Sequence, residues 1–253
     1  MQKPMDASAY AFTYGVRHTR ETLRVWHNAP GKVLGRWFAG AALAAAGLLT
    51  AVWVIAVLGG GHEQVVSLRP PFAVGNADDV LGVLARNMLV LALHAMACVA
   101  GFIAGSSLPL QVEGRAGVSR WVHEHGGRLA IGFVVLATTF SLSAQAYLLG
   151  HTLGGVAAFL HVAPGTLLLG VMPHAVLELI ALFLPLAAWI IASRRGEWEQ
   201  LLAATFVTVA LAVPLLVIAA LIEVYVSPHL FTTLTHIHPP IVRASEGWIV
   251  TVR

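Results

Sequence analysis

Between His174 and Ser193 the chain reads HAVLELIALFLPLAAWIIAS, apolar for nearly the width of a bilayer, yet with an imidazole and a carboxylate in its first turns. A four-residue spacing puts His174 and Glu178 on one face of a helix. Hydrocarbon cannot solvate either group, so that face must meet protein or water, and the other helices have to be arranged to receive it. Pro173, just before the pair, suits a first helical position, where a missing N–H costs nothing.

The rest of the composition agrees with life in lipid. Hydrophobic residues make up 58% of the 253 and charged ones 11%, against roughly a quarter charged in a soluble domain. The single cysteine, Cys98, lies inside an apolar run, which excludes an internal disulfide and a cysteine metal cluster. No cofactor-binding, phosphate-loop, lipidation or nucleic-acid-binding pattern is present, and no catalytic residue is assigned. His62-Glu63 lacks the second histidine of a zinc-protease helix, and His236-x-His238 offers two ligands without a third, so no metal site is assigned either.

The pattern predicts an all-α polytopic membrane helix bundle of three parts: a cytoplasmic basic amphipathic segment over 1–36, a transmembrane bundle over 37–226 and an extracytoplasmic tail over 227–253. In the first, Lys3, Arg17, Arg20, Arg24, Lys32 and Arg36 alternate with Phe12, Val16, Leu23 and Trp26 at roughly helical spacing, as in a helix lying on a membrane surface. Spans are expected over 37–58, 87–105, 129–149, 174–193 and 201–226. Small residues mark close helix contact in the first (AGAALAAAG) and, as Gly101-x-x-x-Gly105, in the second. Residues 106–128 read as a polar connection. Between the third and fourth spans, two short apolar runs flank Ala163-Pro164-Gly165 and predict a broken or re-entrant element, with a helix resting on the bundle as the competing reading.

Basic residues set the expected orientation. With the N-terminus inside, eleven Lys and Arg fall in cytoplasmic segments and four (Arg69, Arg86, Arg243 and Arg253) outside, which argues for a cytoplasmic N-terminus and an extracytoplasmic C-terminus. At ~1.5 Å per residue, Glu178, His94 and Glu223 then sit roughly 5–10 Å inside the outer ends of their spans, with Arg86, Asn87, His151 and His174 just above. Such a polar cluster either braces the bundle by interhelical hydrogen bonds or lines a solute or proton pathway.

PHAVLELIALFLPLAAWI at 173–190 and VPLLVIAALIEVYVSP at 213–228 together resemble the stage II sporulation protein M family. His174, Glu178, Leu179, Glu223 and Pro228 match its pattern, while Asn87, Gly101 and Gly105 resemble its asparagine-led, glycine-containing second span. Ala175 and Ile180 depart from the glycine and proline usual there. The resemblance covers roughly residues 80–228. It implies a five-span protein of the cell membrane, without known catalysis, whose best-understood members hold cell-wall-degrading partners in a complex. Two functions are expected from these readings. One is a non-enzymatic scaffold whose partners are the bilayer and membrane or cell-wall-associated proteins. The other is a permease-like subunit working with a separate ATPase.

Overall fold

The structure, a computed structural model, describes residues 7–59, 74–103, 117–236, 241–244 and 247–250. The described residues are mainly helical, with a short antiparallel strand pair near the C-terminus, β1 (Ile241–Ala244) and β2 (Gly247–Val250), which pairs Ile241 with Val250. Among the described residues, seven α-helices precede it: α1 (Ala7–His27), α2 (Pro30–Leu58), α3 (Ala77–Phe102), α4 (Gly117–Phe159), α5 (Pro164–Arg195), α6 (Leu201–Leu221) and α7 (Ser227–Thr235). A 3-10 turn, Trp198–Gln200, leads into α6, and a π turn, Ile222–Val226, joins α6 to α7. Among the described residues, five helices are long and apolar enough to cross a membrane, over 30–58, 77–102, 128–159, 164–195 and 198–235.

Local chemistry explains where the helices start and stop. Asn76 Oδ1 accepts the Asp79 N–H at 3.1 Å while Asp79 Oδ2 accepts the Asn76 N–H at 2.8 Å, a reciprocal cap that starts α3 at Ala77. The second span therefore begins ten residues before the expected Asn87, and Arg86 and Asn87 lie within it rather than at its mouth. Residues 117–128 are likewise the first turns of α4 and not part of a polar loop.

The expected broken element is not a separate element. Its two halves are the end of α4 and the beginning of α5. α4 stops in a Schellman cap: Val162 N–H reaches Ala157 O at 3.0 Å, His161 N–H reaches Ala158 O at 3.1 Å, and His161 takes the left-handed conformation (φ 54°) usually given to glycine. Pro164 then opens α5 at a first-turn position where its ring is preorganised for a helix. Pro-Gly, read as a break in one membrane element, is the junction between two spans. Pro173, read as a helix start, sits inside α5 and merely withholds one N–H from the ladder. α5 ends in the same way as α4, with Gly196 at φ 70° and Glu197 N–H bonded to Ala192 O at 2.9 Å.

The chain forms two compact units, each drawn from several helices. The first comprises 1–41, 90–138 and 182–212. Its core is Trp189, 1% exposed, packed with Cys98, Phe102, Ala192 and Leu201. Pro185 withholds an N–H from Ala181 O, and two carbonyls near it accept side-chain donors from α3: Leu182 O from His94 Nδ1 at 2.7 Å and Pro185 O from Cys98 Sγ at 3.2 Å. α1 is tied to the 3-10 turn through His18 Nδ1 and Glu199 Oε2, 3.4 Å apart, and Trp26 meets Trp37 edge to face at 5.0 Å.

The second unit comprises 42–89, 139–181 and 213–253. Three contacts hold it. Gly150 and Gly154 of α4 lie on α2 so closely that a Cβ on either would meet Ile55, Val52 O or Ala56 O within 3.0 Å. Val80 and Val83 of α3 pack on Ala220 and Val224. Phe231 of α7 lies over Gly170 and packs with Ala157, Leu160 and Leu167.

Candidate functional site

The three contacts that hold the second unit also build its site. Val80, Val83 and Asn87 share a face of α3, so seating the two valines on α6 and the π turn brings the adjacent Arg86 to Glu223 and Asn87 to Glu178. The π turn itself has a backbone cause. Pro228 has no N–H to return to Val224 O, and that carbonyl accepts Gly75 N–H instead, at 3.2 Å, from the segment entering α3. One extra residue per turn shifts the register, so that Glu223 and the Ser227–Phe231 face of α7 both serve the same unit.

On α5, Leu167, Val171, His174 and Glu178 recur at three- and four-residue steps and line a cavity of about 360 Å³. Its walls are otherwise apolar: Leu48, Leu49 and Val52 of α2, Leu149, Leu153 and Val156 of α4, and Phe231 of α7. The polar lining is Arg86, Thr152, His174, Glu178 and Glu223. Arg86 Nη2 stands 4.0 Å from Glu223 Oε1, the guanidinium side chain being 65% exposed and the carboxylate side chain 26%. Glu178 has Asn87, Glu223 and Arg86 as its polar neighbours. Asn87 is buried, and among the described residues its Nδ2 lacks a hydrogen-bond partner of good geometry. His174 Nδ1 meets Ser227 Oγ at 2.7 Å, a buried contact between α5 and α7.

Of the residues singled out from the sequence, the unit thus gathers Arg86, Asn87, His174, Glu178 and Glu223. His94 belongs to the other unit, bonded to Leu182 O. Gly101 is also there, where a Cβ would lie 2.5 Å from Trp189 Nε1, and Gly105 falls outside the described residues. Sequence reasoning missed Ser227, Phe231 and Gly170, and it missed Gly150-x-x-x-Gly154, a pair as visible in the sequence as the one it chose. Among the described residues no three His, Cys, Asp or Glu side chains are placed to hold a metal ion.

Five helices long and apolar enough to cross a membrane, one of them carrying His174 and Glu178 turned onto protein, define a polytopic α-helical membrane protein. The sequence model of the stage II sporulation protein M family matches residues 126–228, and this part of the chain is similar to that family. The match runs from the start of the α4 span through the π turn to Pro228, and so takes in His174, Glu178 and Glu223 but neither Arg86 nor Asn87. No curated protein and no solved structure matches the chain.

Proposed function

We propose that this protein is a non-enzymatic scaffold of the cell membrane that organises partner proteins in the bilayer, enzymes of cell-wall remodelling among them. The observation that carries the reading is the face of α4. Only 6% of that span's apolar window is buried against the chain, compared with 56% for α5. Near its middle Thr139, Ser141 and Ser143 are exposed, and Gln145 Nε2 donates to the exposed Ser141 Oγ at 3.1 Å. In hydrocarbon the remaining amide and hydroxyl capacity has no water to turn to, and the residues that satisfy it in such a setting are polar side chains on a neighbouring helix. The occupant that fits is a membrane helix of a partner protein.

A photocrosslinking residue at Leu148, on the exposed face, should give one adduct with a distinct membrane protein, while the same residue at buried Ala146 should give none. Gln145→Leu combined with Ser141→Ala should lower the adduct about 3- to 18-fold, as expected for interhelical hydrogen bonds of ~0.6–1.7 kcal/mol. An adduct only with a second copy of this chain would overturn the scaffold reading.

The second reading, a permease-like subunit with a separate ATPase, is favoured by the polar-ended cavity. It predicts an ATPase that co-purifies with the chain. Both readings take the N-terminus as cytoplasmic and the C-terminus as extracytoplasmic, on the bias of basic residues. A reporter fused after Arg253 that works only in the cytoplasm should be silent, and activity from it would reverse the orientation.

A further inference from the structure

The cavity of the second unit has two chemically distinct ends, and we propose that it binds a single-chain amphiphile whose head is a protonated amine. This goes beyond the scaffold reading and does not depend on it. A volume of about 360 Å³ lies within the range of small-molecule sites, roughly 300–1,000 Å³. Leu153, Val156, Leu167, Val171 and Phe231 present nothing but hydrocarbon and an aromatic ring, a surface that an alkyl chain matches.

The other end selects the head. Among the described residues its lining holds two carboxylates, Glu178 and Glu223, against one guanidinium, Arg86, while the His174 imidazole is engaged with Ser227. Ionised, this end carries an excess negative charge in a setting of low polarisability, where an unbalanced charge is costly. An ammonium head balances it and donates up to three hydrogen bonds to acceptors that are already in place. A phosphate or carboxylate head would add a third negative charge, and a hydroxyl head would leave the excess standing. A proton taken up from water is the rival means of balance, and it predicts no discrimination between heads.

The test uses the purified full chain in maltoside micelles with three probes of equal chain length: dodecylamine, dodecanol and dodecyl phosphate. Dodecylamine should raise the thermal unfolding midpoint in a saturable way, since a ligand that binds only the folded form stabilises it by mass action. The other two should not. An equal shift from dodecanol, or a larger one from dodecyl phosphate, would overturn the proposal. Glu178→Gln with Glu223→Gln should abolish the dodecylamine shift, and a shift kept at full size would also overturn it.

Two further arms do not depend on that double variant folding. Val171→Trp fills the apolar end and leaves the head-binding groups in place, so it too should lose the shift. A dodecylamine bearing a diazirine at its chain end should label peptides containing Leu153, Leu167 or Val171, and labelling confined to the exposed face of α4 would sink the idea. Repeating the labelling in nanodiscs with and without phosphatidylethanolamine separates the two sources of this head. Undiminished labelling assigns the site to a free single-chain amine, whereas labelling suppressed by that lipid, which has two chains and a phosphate in its head, would overturn the proposal.

Discussion

Trp189→Ala will destabilise the protein by about 3–5 kcal/mol, the range for removing a buried aromatic side chain and leaving its space unfilled. Trp189 is 1% exposed and touches Cys98, Phe102, Ala192 and Leu201, so none of its packing contacts can be replaced by solvent. In lipid there is little hydrophobic drive holding helices together, and dispersion at such contacts is a large part of what does. A loss of that size approaches the whole stability of many domains, about 5–15 kcal/mol. Trp189→Phe separates packing from polarity. Trp189 Nε1 is buried with no hydrogen-bond partner among the described residues, so phenylalanine keeps a ring in the core and removes a donor that contributes nothing. Its loss should be smaller, on the order of 1–2 kcal/mol by the same large-to-small trend. Unfolding titrations in mixed micelles measure both. If Trp189→Phe proved as damaging as Trp189→Ala, the indole N–H would have a partner in the membrane and the packing account would be incomplete.

What could be read from the sequence depended on how local each cause is. Length and hydropathy are local, and the five spans follow from them. The His174–Glu178 face follows from a period of 3.6 residues within one helix. Helix ends were misplaced where the signal had two meanings. Pro-Gly at 164–165 reads as a break if the element is assumed to continue, and as a first-turn proline if a Schellman cap closes the preceding helix, yet that cap uses a histidine where a glycine would have announced it. The π turn was only half legible: Pro228, which leaves Val224 O without its helical donor, is local, but the Gly75 N–H that takes that carbonyl comes from across the chain and lies in no window of sequence. His94 was placed with the outer cluster by counting residues from an assumed span start at Asn87. The cap at Asn76 and Asp79 moves that start, and with it the reference from which depth was counted.

Gly150 and Gly154 set the second large effect. A Cβ at Gly150 would lie 2.7 Å from Ile55 Cβ and 2.9 Å from Val52 O, and one at Gly154 3.0 Å from Ala56 O. Two of these obstacles are backbone oxygens, which cannot rotate aside as a side chain can, so α2 and α4 would have to separate. Gly150→Ala and Gly154→Ala should each destabilise by about 1–3 kcal/mol, and Gly150→Leu should exceed either. Separation would also open the cavity, since Leu149, Thr152 and Leu153 on α4 and Leu48, Leu49 and Val52 on α2 are its walls. Binding of the amine probe should therefore weaken along with stability. Gly132→Ala on the same helix gives the opposite sign: nothing lies within 4 Å of its added Cβ, and replacing glycine in a helix interior gains roughly 0.5–1 kcal/mol. Stability measured for the three alanine variants side by side thus distinguishes a general dislike of change on α4 from close contact with α2. Equal responses at 132, 150 and 154 would mean that the two helices are not held together through those glycines.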